Sequence, residues 1–285
     1  MSAKVSLGIY EKALLSEESW EKFFAQVVTT GFTFCDLSVD ESSERFSRLE
    51  WEKSQREKVR LAAKNSGVQI GGICLSAHRK VMPGSRDAAV RRQAKDVYRK
   101  GIILAYDLGA PVVQVAGYFN YYEEPWVDAK RYYVDALAQA GEYAARAGIL
   151  LGIENVDSSG LRSIPEAVKV IKEIDNPYVQ LYPDIGNIAE HRGDEHEELQ
   201  AAKGHILAIH VKDVLPGQPR KIPFGKGIVN WEKAMATLAQ QNWCGRMMLE
   251  MWNNDNPDAS EICKKSRATV FSWLQNAHIE VISNL

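Results

Sequence analysis

Residues 127–155 read VDAKRYYVDALAQAGEYAARAGILLGIEN. Val127, Ala129, Tyr133, Ala136, Leu137, Ala140, Tyr143, Ala144 and Ala147 recur at helical spacing and form one apolar stripe. Gly148 follows, where a helix-terminating glycine belongs. Ile149–Asn155 is then an almost unbroken apolar run ending in Glu154 and Asn155. A strand apolar on both faces is what a parallel sheet covered by helices requires. The unit is therefore a helix feeding a buried strand.

The same unit repeats in both directions. The expected strands are Val5–Tyr10, Phe32–Val39, Val68–Ser76, Pro111–Gly117, Ile149–Asn155, Val179–Pro183, Ile206–Lys212 and Arg246–Trp252. The segments between them carry helix signals. Leu108-Gly109-Ala110-Pro111 ends one helix. Ser163-Ile164-Pro165-Glu166 reads as a capping box that opens another, and Asn230 caps a helix starting at Trp231. Eight alternations over 285 residues predict an α/β fold, a single-domain (β/α)8 TIM barrel spanning residues 1–285. An open doubly wound sheet would carry a glycine-rich turn after its first strand, where this chain has Ile9-Tyr10-Glu11-Lys12.

The formal net charge of −2 argues against broad nucleic-acid or anionic-membrane binding, which needs a basic surface. Cys35, Cys74, Cys244 and Cys263 form no C-x-x-C pair, so a zinc ribbon or dithiol centre is not expected. Cys35 and Cys74 lie in apolar runs and read as core thiols. The opening MSAKVSLGIY runs straight into a strand without a cleavage pattern, and no apolar stretch reaches the ~20 residues of a membrane span. A cytoplasmic location is the expectation.

Barrel active sites lie at the C-terminal ends of the strands. There, four consecutive strands end in Gly152-Ile153-Glu154-Asn155, Leu181-Tyr182-Pro183-Asp184, Ile209-His210-Val211-Lys212 and Leu249-Glu250-Met251-Trp252. Charges inside apolar strands are costly unless paired or bound to metal. Three carboxylates aimed at one centre repel, and a divalent cation resolves the repulsion. One imidazole with three oxygen donors suits one Mn, Mg, Co or Zn ion held by Glu154, Asp184, His210 and Glu250. Among the other histidines, His191, His196 and His205 fall in or beside a charged stretch and read as surface residues, and His278 lies near the end of the sequence. His78 follows the third strand on the active rim and is a substrate-binding candidate.

With these residues in view, the chain resembles the xylose-isomerase-like barrels. More closely, it resembles the L-ribulose-5-phosphate (L-xylulose-5-phosphate) 3-epimerases of bacterial L-ascorbate degradation and pentose use. The likeness runs from Leu7-Gly8-Ile9-Tyr10-Glu11-Lys12-Ala13-Leu14 through Ser38-Val39-Asp40-Glu41, Cys74-Leu75-Ser76-Ala77-His78-Arg79 and Ala116-Gly117-Tyr118. It continues through Gln180-Leu181-Tyr182-Pro183-Asp184-Ile185-Gly186-Asn187, His210-Val211-Lys212-Asp213 and Pro223-Phe224-Gly225-Lys226-Gly227 to Glu250-Met251-Trp252. The Asp-x-Gly-Asn and His-x-Lys-Asp motifs mark the superfamily, and the Ser-Ala-His-Arg and Tyr-Pro-Asp-Ile-Gly-Asn stretches narrow it to the epimerases. Lys226 departs from the acidic residue expected between these glycines, which bears on substrate detail rather than on the metal ligands.

The resemblance implies an isomerase that inverts C3 of a small ketose phosphate, interconverting L-xylulose 5-phosphate and L-ribulose 5-phosphate. In that reading the metal polarises the carbonyl, while Glu154 and Glu250 move protons on opposite faces. Asn155 and Asn187 are candidates for bonding substrate hydroxyls, and Lys212 for neutralising the oxyanion or pairing with Asp213 or another rim acid. Phosphate has two rival positions: Arg220, Lys221 and the turn at Lys226, or His78-Arg79-Lys80. Tyr118, Phe119, Tyr121 and Tyr122 follow the fourth strand as candidate pocket walls. Partners beyond the ketose phosphate are not expected, apart from a second copy in a homodimer. The nearest alternative is a hexulose-phosphate or hydroxypyruvate isomerase with the same ligands. A metal-dependent phosphodiesterase or endonuclease is remote, because it needs more histidine ligands and a basic face.

Overall fold

The computed structural model describes residues 2–283. Along the chain run β1 (Lys4–Tyr10), α1 (Trp20–Thr29), β2 (Phe34–Val39), α2 (Ser43–Phe46), α3 (Lys53–Ser66) and β3 (Gln69–Leu75). Then come α4 (Ala88–Leu108), β4 (Val112–Ala116), α5 (Ala129–Ala147), β5 (Leu150–Glu154), α6 (Ile164–Ile174) and β6 (Val179–Leu181). Next are α7 (Ile185–Glu190), α8 (Glu195–Ala201), β7 (Ala208–Val211), β8 (Asp213–Leu215) and β9 (Gln218–Ile222). Last are α9 (Trp231–Gln240), β10 (Cys244–Leu249), α10 (Ala259–Asn276) and β11 (Glu280–Val281).

The eight expected strands are β1–β7 and β10. They pair in parallel in the order β6-β5-β4-β3-β2-β1-β10-β7. Two isolated parallel bridges, Leu181 to Ile206 and Asp184 to His210, join the ends into a nearly closed barrel. β10 ends at Leu249, so Glu250 lies just past the strand rather than within it. Its N–H still donates to Val211 O at 3.0 Å, which holds it on the rim. The antiparallel hairpin β8–β9 and the short β11 beside β1 had no counterpart in the expected pattern.

The barrel interior is filled by large side chains opposite glycines. Phe34 of β2 lies across its neighbours on both sides. A Cβ on Gly8 would come within 2.1 Å of the Phe34 ring, and one on Gly71 within 2.4 Å. On the far side Tyr182 fills the space beside Gly152, where a Cβ would meet it at 2.9 Å. Outside, the helices pack on apolar strands: Ala129, Tyr133, Ala136, Leu137, Ala140 and Ala144 of α5 are buried as the stripe predicts, but Val127 lies before the helix and is exposed, and Tyr143 faces solvent too. Gly148 ends α5 at φ 68°, where a side chain would strain the backbone. Ser163 Oγ accepts from Glu166 N and opens α6, and Asn230 accepts from Lys233 N to open α9. Cys35 and Cys74 are buried, as expected. Among the described residues, no helix is long and apolar enough to cross a membrane.

Candidate active site

Glu154 is the last residue of β5, Asp184 caps α7 after β6, His210 lies in β7, and Glu250 follows β10. One ligating atom from each lies within 4.8 Å of all the others. His210 Nδ1 is 2.7 Å from Glu154 Oε1, and Gln114 Nε2 donates to Glu154 Oε2 at 2.7 Å. Asp184 Oδ1 accepts from Asn187 N at 2.9 Å, and its other oxygen pairs with Lys212 Nζ at 2.8 Å. Glu250 Oε2 is buried without a hydrogen-bond partner, with Lys212 Nζ at 3.5 Å and His210 Nδ1 at 4.0 Å. Crowded carboxylates, an imidazole and an orphaned buried oxygen make a donor set that fits a hard or borderline divalent cation.

The electrostatics follow from the crowding. Burial raises the Asp184 carboxyl above its usual range, against the pull of Lys212. Burial opposes the His210 charge, but Glu154 and Glu250 outweigh it and push its pKa up to about 9. Burial opposes the Lys212 charge too, yet Asp184 and Glu250 hold the ammonium firmly protonated. The centre is thus an anionic pocket that gathers positive charge.

Above it lies a pocket lined in part by Tyr10, Arg79, Tyr118, Asn187, Lys212, Arg220 and Trp252. The two stretches that competed for the phosphate therefore meet: Arg79 comes from the turn after β3 and Arg220 from β9, and both face this one space. Arg220 Nη2 donates to Asp157 Oδ2 at 3.0 Å, and Arg79 lies 5.8 Å from the centre of the Tyr121 ring. Lys212 lies over the site, paired with Asp184 and Glu250 rather than with Asp213, which instead accepts from Gly225 N and Gly227 N.

Three expected substrate contacts lie elsewhere. His78 is 1% exposed and turned into the protein, 4.0 Å from the Tyr98 ring, with Nε2 against Ala94 O. Burial brings its pKa down to about 4. Asn155 is wholly buried, and both ends of its amide bond the backbone of Asp184. Lys226 sits exposed on the turn that Asp213 anchors. Asn187 does line the pocket, its Oδ1 accepting from Lys212 Nζ at 2.8 Å. Of the aromatic wall candidates, Tyr118 lines the pocket, Phe119 packs on Tyr133, and Tyr122 is exposed and bonded to Glu41.

Two residues absent from the expected set complete the site. Asp157 accepts from both Tyr118 and Arg220, and against the effect of burial these neighbours hold its carboxyl below the usual range. Gln114 orients Glu154. Each left a trace in the sequence: Gln114 is the polar residue in the apolar run Val112-Val113-Gln114-Val115-Ala116, and Asp157 follows the strand end by three positions.

The fold has counterparts among known proteins. The xylose isomerase-like TIM barrel family matches residues 24–272. The L-ribulose-5-phosphate 3-epimerase UlaE of Shigella boydii is 43% identical over 265 residues, covering 93% of each chain. UlaE of Escherichia coli O157:H7 matches to the same extent. Among solved structures, D-psicose 3-epimerase from Clostridium cellulolyticum H10 superposes with a TM-score of 0.79 at 14% identity, covering 94% of this chain and 99% of that one. An L-ribulose 3-epimerase superposes with a TM-score of 0.79 at 18% identity, covering 96% of both chains, and the two structures share the fold. This chain belongs to the xylose isomerase-like TIM barrel family and, within it, to the L-ribulose-5-phosphate 3-epimerases.

Proposed function

We propose that the protein is a metal-dependent 3-epimerase that interconverts L-xylulose 5-phosphate and L-ribulose 5-phosphate. One observation carries the reading: Glu154 and Glu250 stand at the two ends of a four-strand arc, with Asp184 and His210 between them. Inversion at a carbon needs a base on one face and an acid on the other. Glu154, Asp184, His210 and Glu250 would hold the cation. When bound, such an ion would supply Lewis-acid polarisation of the C2 carbonyl and so acidify the C3 proton.

The chain's own groups do the rest. One glutamate removes the C3 proton through a carboxylate oxygen. The other, protonated, returns a proton from the opposite face, and the roles exchange with the direction of reaction. Gln114 holds Glu154 by its second oxygen, leaving the first toward the centre. The Lys212 ammonium stabilises negative charge developing on the substrate oxygens. Arg79 and Arg220 receive the phosphate, since guanidinium donors suit its oxygens and both line the pocket. Asn187 steadies the Lys212 ammonium beside the sugar through Oδ1, and Asp157 keeps Arg220 in place. His78, Asn155 and Lys226 take no substrate contact in this reading.

Incubation with Mn²⁺ and L-xylulose 5-phosphate in D2O, followed by proton NMR, tests the proposal. Loss of the C3 proton signal with growth of L-ribulose 5-phosphate is expected. Exchange at C1 with an aldose product would overturn it in favour of a hexulose-phosphate or hydroxypyruvate type of isomerase.

A further inference from the structure

His210 has two ring nitrogens, and the second faces another set of donors. While Nδ1 meets Glu154, Nε2 lies 4.0 Å from the Cys74 sulfur of β3. A carboxylate oxygen of Asp36, from β2, joins them, so that one ligating atom from each of the three lies within 4.8 Å of the others. All three residues are at least 97% buried. Asp36 Oδ2 accepts from Tyr182 OH at 2.7 Å, but Oδ1, in a residue only 1% exposed, has no hydrogen-bond partner. Met248 pairs in register with His210 and shares a buried cluster with Cys74, which brings a thioether to the same region.

This set differs in kind from the first. The catalytic group offers three carboxylates and an imidazole. The group behind it offers a thiol, an imidazole and one carboxylate, with a thioether near. Sulfur donors favour zinc and softer ions over magnesium or manganese. In a tetrahedral zinc site the sulfur and nitrogen donors stand roughly 3.5 Å apart, given bonds of about 2.3 and 2.0 Å. Closing the observed gap of 4.0 Å is a small movement. Cys74 also lines the substrate pocket, which supplies a route of entry.

We propose that Asp36, Cys74 and His210 form a second cation site, specific for thiophilic metals, and that filling it inhibits the enzyme by competing for His210. Binding releases the Cys74 thiol proton to solvent, together with any proton on Nε2 of His210. The Cys74 sulfur and the freed nitrogen lone pair then bond the ion, and Asp36 balances its charge. Two dications on opposite nitrogens of one ring repel, so occupancy of this site weakens the first. The binding claim stands without the epimerase reading, and only the inhibition rests on it.

Cadmium is the probe, because a cadmium–thiolate bond absorbs in the ultraviolet. Cys244 is exposed and would bind cadmium by itself, so the parent protein carries Cys244→Ser. Cadmium titrated into this Mn²⁺-loaded protein is expected to give a charge-transfer band and to release Mn²⁺, seen by electron paramagnetic resonance. The further change Cys74→Ser, or Cys74→Ala should the serine variant not bind Mn²⁺, is expected to abolish the band. Asp36→Asn is expected to weaken cadmium binding by roughly 10–100-fold. A missing band, or a band that survives removal of Cys74, overturns the site. A Cys74-dependent band without release of Mn²⁺ overturns the competition. Cys74-dependent binding that leaves turnover unchanged would sink the inhibitory role while sparing the site.

Discussion

Asn155 brackets Asp184 with both ends of its carboxamide: Oδ1 accepts the Asp184 N–H at 2.8 Å, and Nδ2 donates to the Asp184 carbonyl at 3.0 Å. Asn187 in turn donates to Asn155 O at 2.8 Å. The carboxylate of Asp184 is thereby set by its neighbour strand before any ion arrives. Replacing Asn155 by Ala leaves the buried Asp184 N–H without a partner, at a cost of ~1–3 kcal/mol, while the Asp184 carbonyl keeps only its bond from Ile188 N. Asn155→Ala is expected to lose about 1–3 kcal/mol in urea unfolding and roughly 10–100-fold in metal affinity. Unchanged values of both would contradict this assignment.

The two glutamates are predicted to fail in a particular way. Glu154→Gln and Glu250→Gln keep the shape of the side chain but remove the proton acceptor. Each is expected to lower kcat by about 10²–10⁴-fold with saturating metal while the circular dichroism spectrum is kept. Deuterium exchange at C3, run from each epimer, separates the two: a variant lacking one base should lose exchange from one epimer first. Turnover near the parent rate in either variant would refute the two-base mechanism.

Arg79 and Arg220 act on the phosphate in the proposed reading, so their loss should be selective. Each charge-assisted bond contributes about 1.5–3 kcal/mol. Arg79→Ala and Arg220→Ala are each expected to raise KM for the phosphorylated ketose by roughly 10–100-fold. The same variants should act on the free ketose as the parent does. Steady-state kinetics with both sugars checks the point, and an equal loss on both would assign the arginines to the sugar.

The rim also carries an acid-sensitive tie. Asp40 pairs with Lys12 and accepts from Ser42 N at 2.9 Å and Ser42 Oγ at 2.6 Å. Burial works to raise its pKa, but Lys12 and Ser42 bring it down from 3.8 to about 2. A carboxyl lowered in the folded state stabilises above its unfolded value, and that contribution is lost as pH falls through the folded one. At neutral pH it amounts to about 1–2 kcal/mol after solvent screening. Asp40→Asn should therefore unfold more readily near neutrality and converge with the parent near pH 2. Urea unfolding across that range measures it, and a gap that widens toward acid would reverse the assignment.

The strands and the candidate metal ligands were legible in the sequence for one reason: both break a local pattern. An apolar run of strand length announces itself, and an ionisable residue at its end stands out. Glu154, Asp184, His210 and Glu250 needed no knowledge of what lies beside them. Residues whose role depends on a distant neighbour were not legible this way. His78 looked like a rim residue, but its ring turns onto Tyr98 of α4. Asn155 looked like a substrate contact, but its partner is Asp184, past the end of the next strand. Asp36 read as part of a strand, and only barrel closure brings Tyr182, 146 positions away, to its carboxylate. The hairpin β8–β9 was hidden because its second strand, Gln218 to Ile222, is partly exposed and carries no alternation strong enough to read.

The barrel's seam has a thermodynamic meaning. Between β6 and β7 the ladder reduces to two isolated bridges, one of them joining Asp184 to His210. Those same two residues contribute donors to the candidate metal centre. An ion gripped by both would rivet the weakest joint of the cylinder, so loading the site should slow amide exchange at Leu207 and His210, whose N–H groups bond Leu181 O and Pro183 O across the gap. Ligand chemistry and mechanical closure would then be one event, and stripping the metal would loosen the wall along a single line.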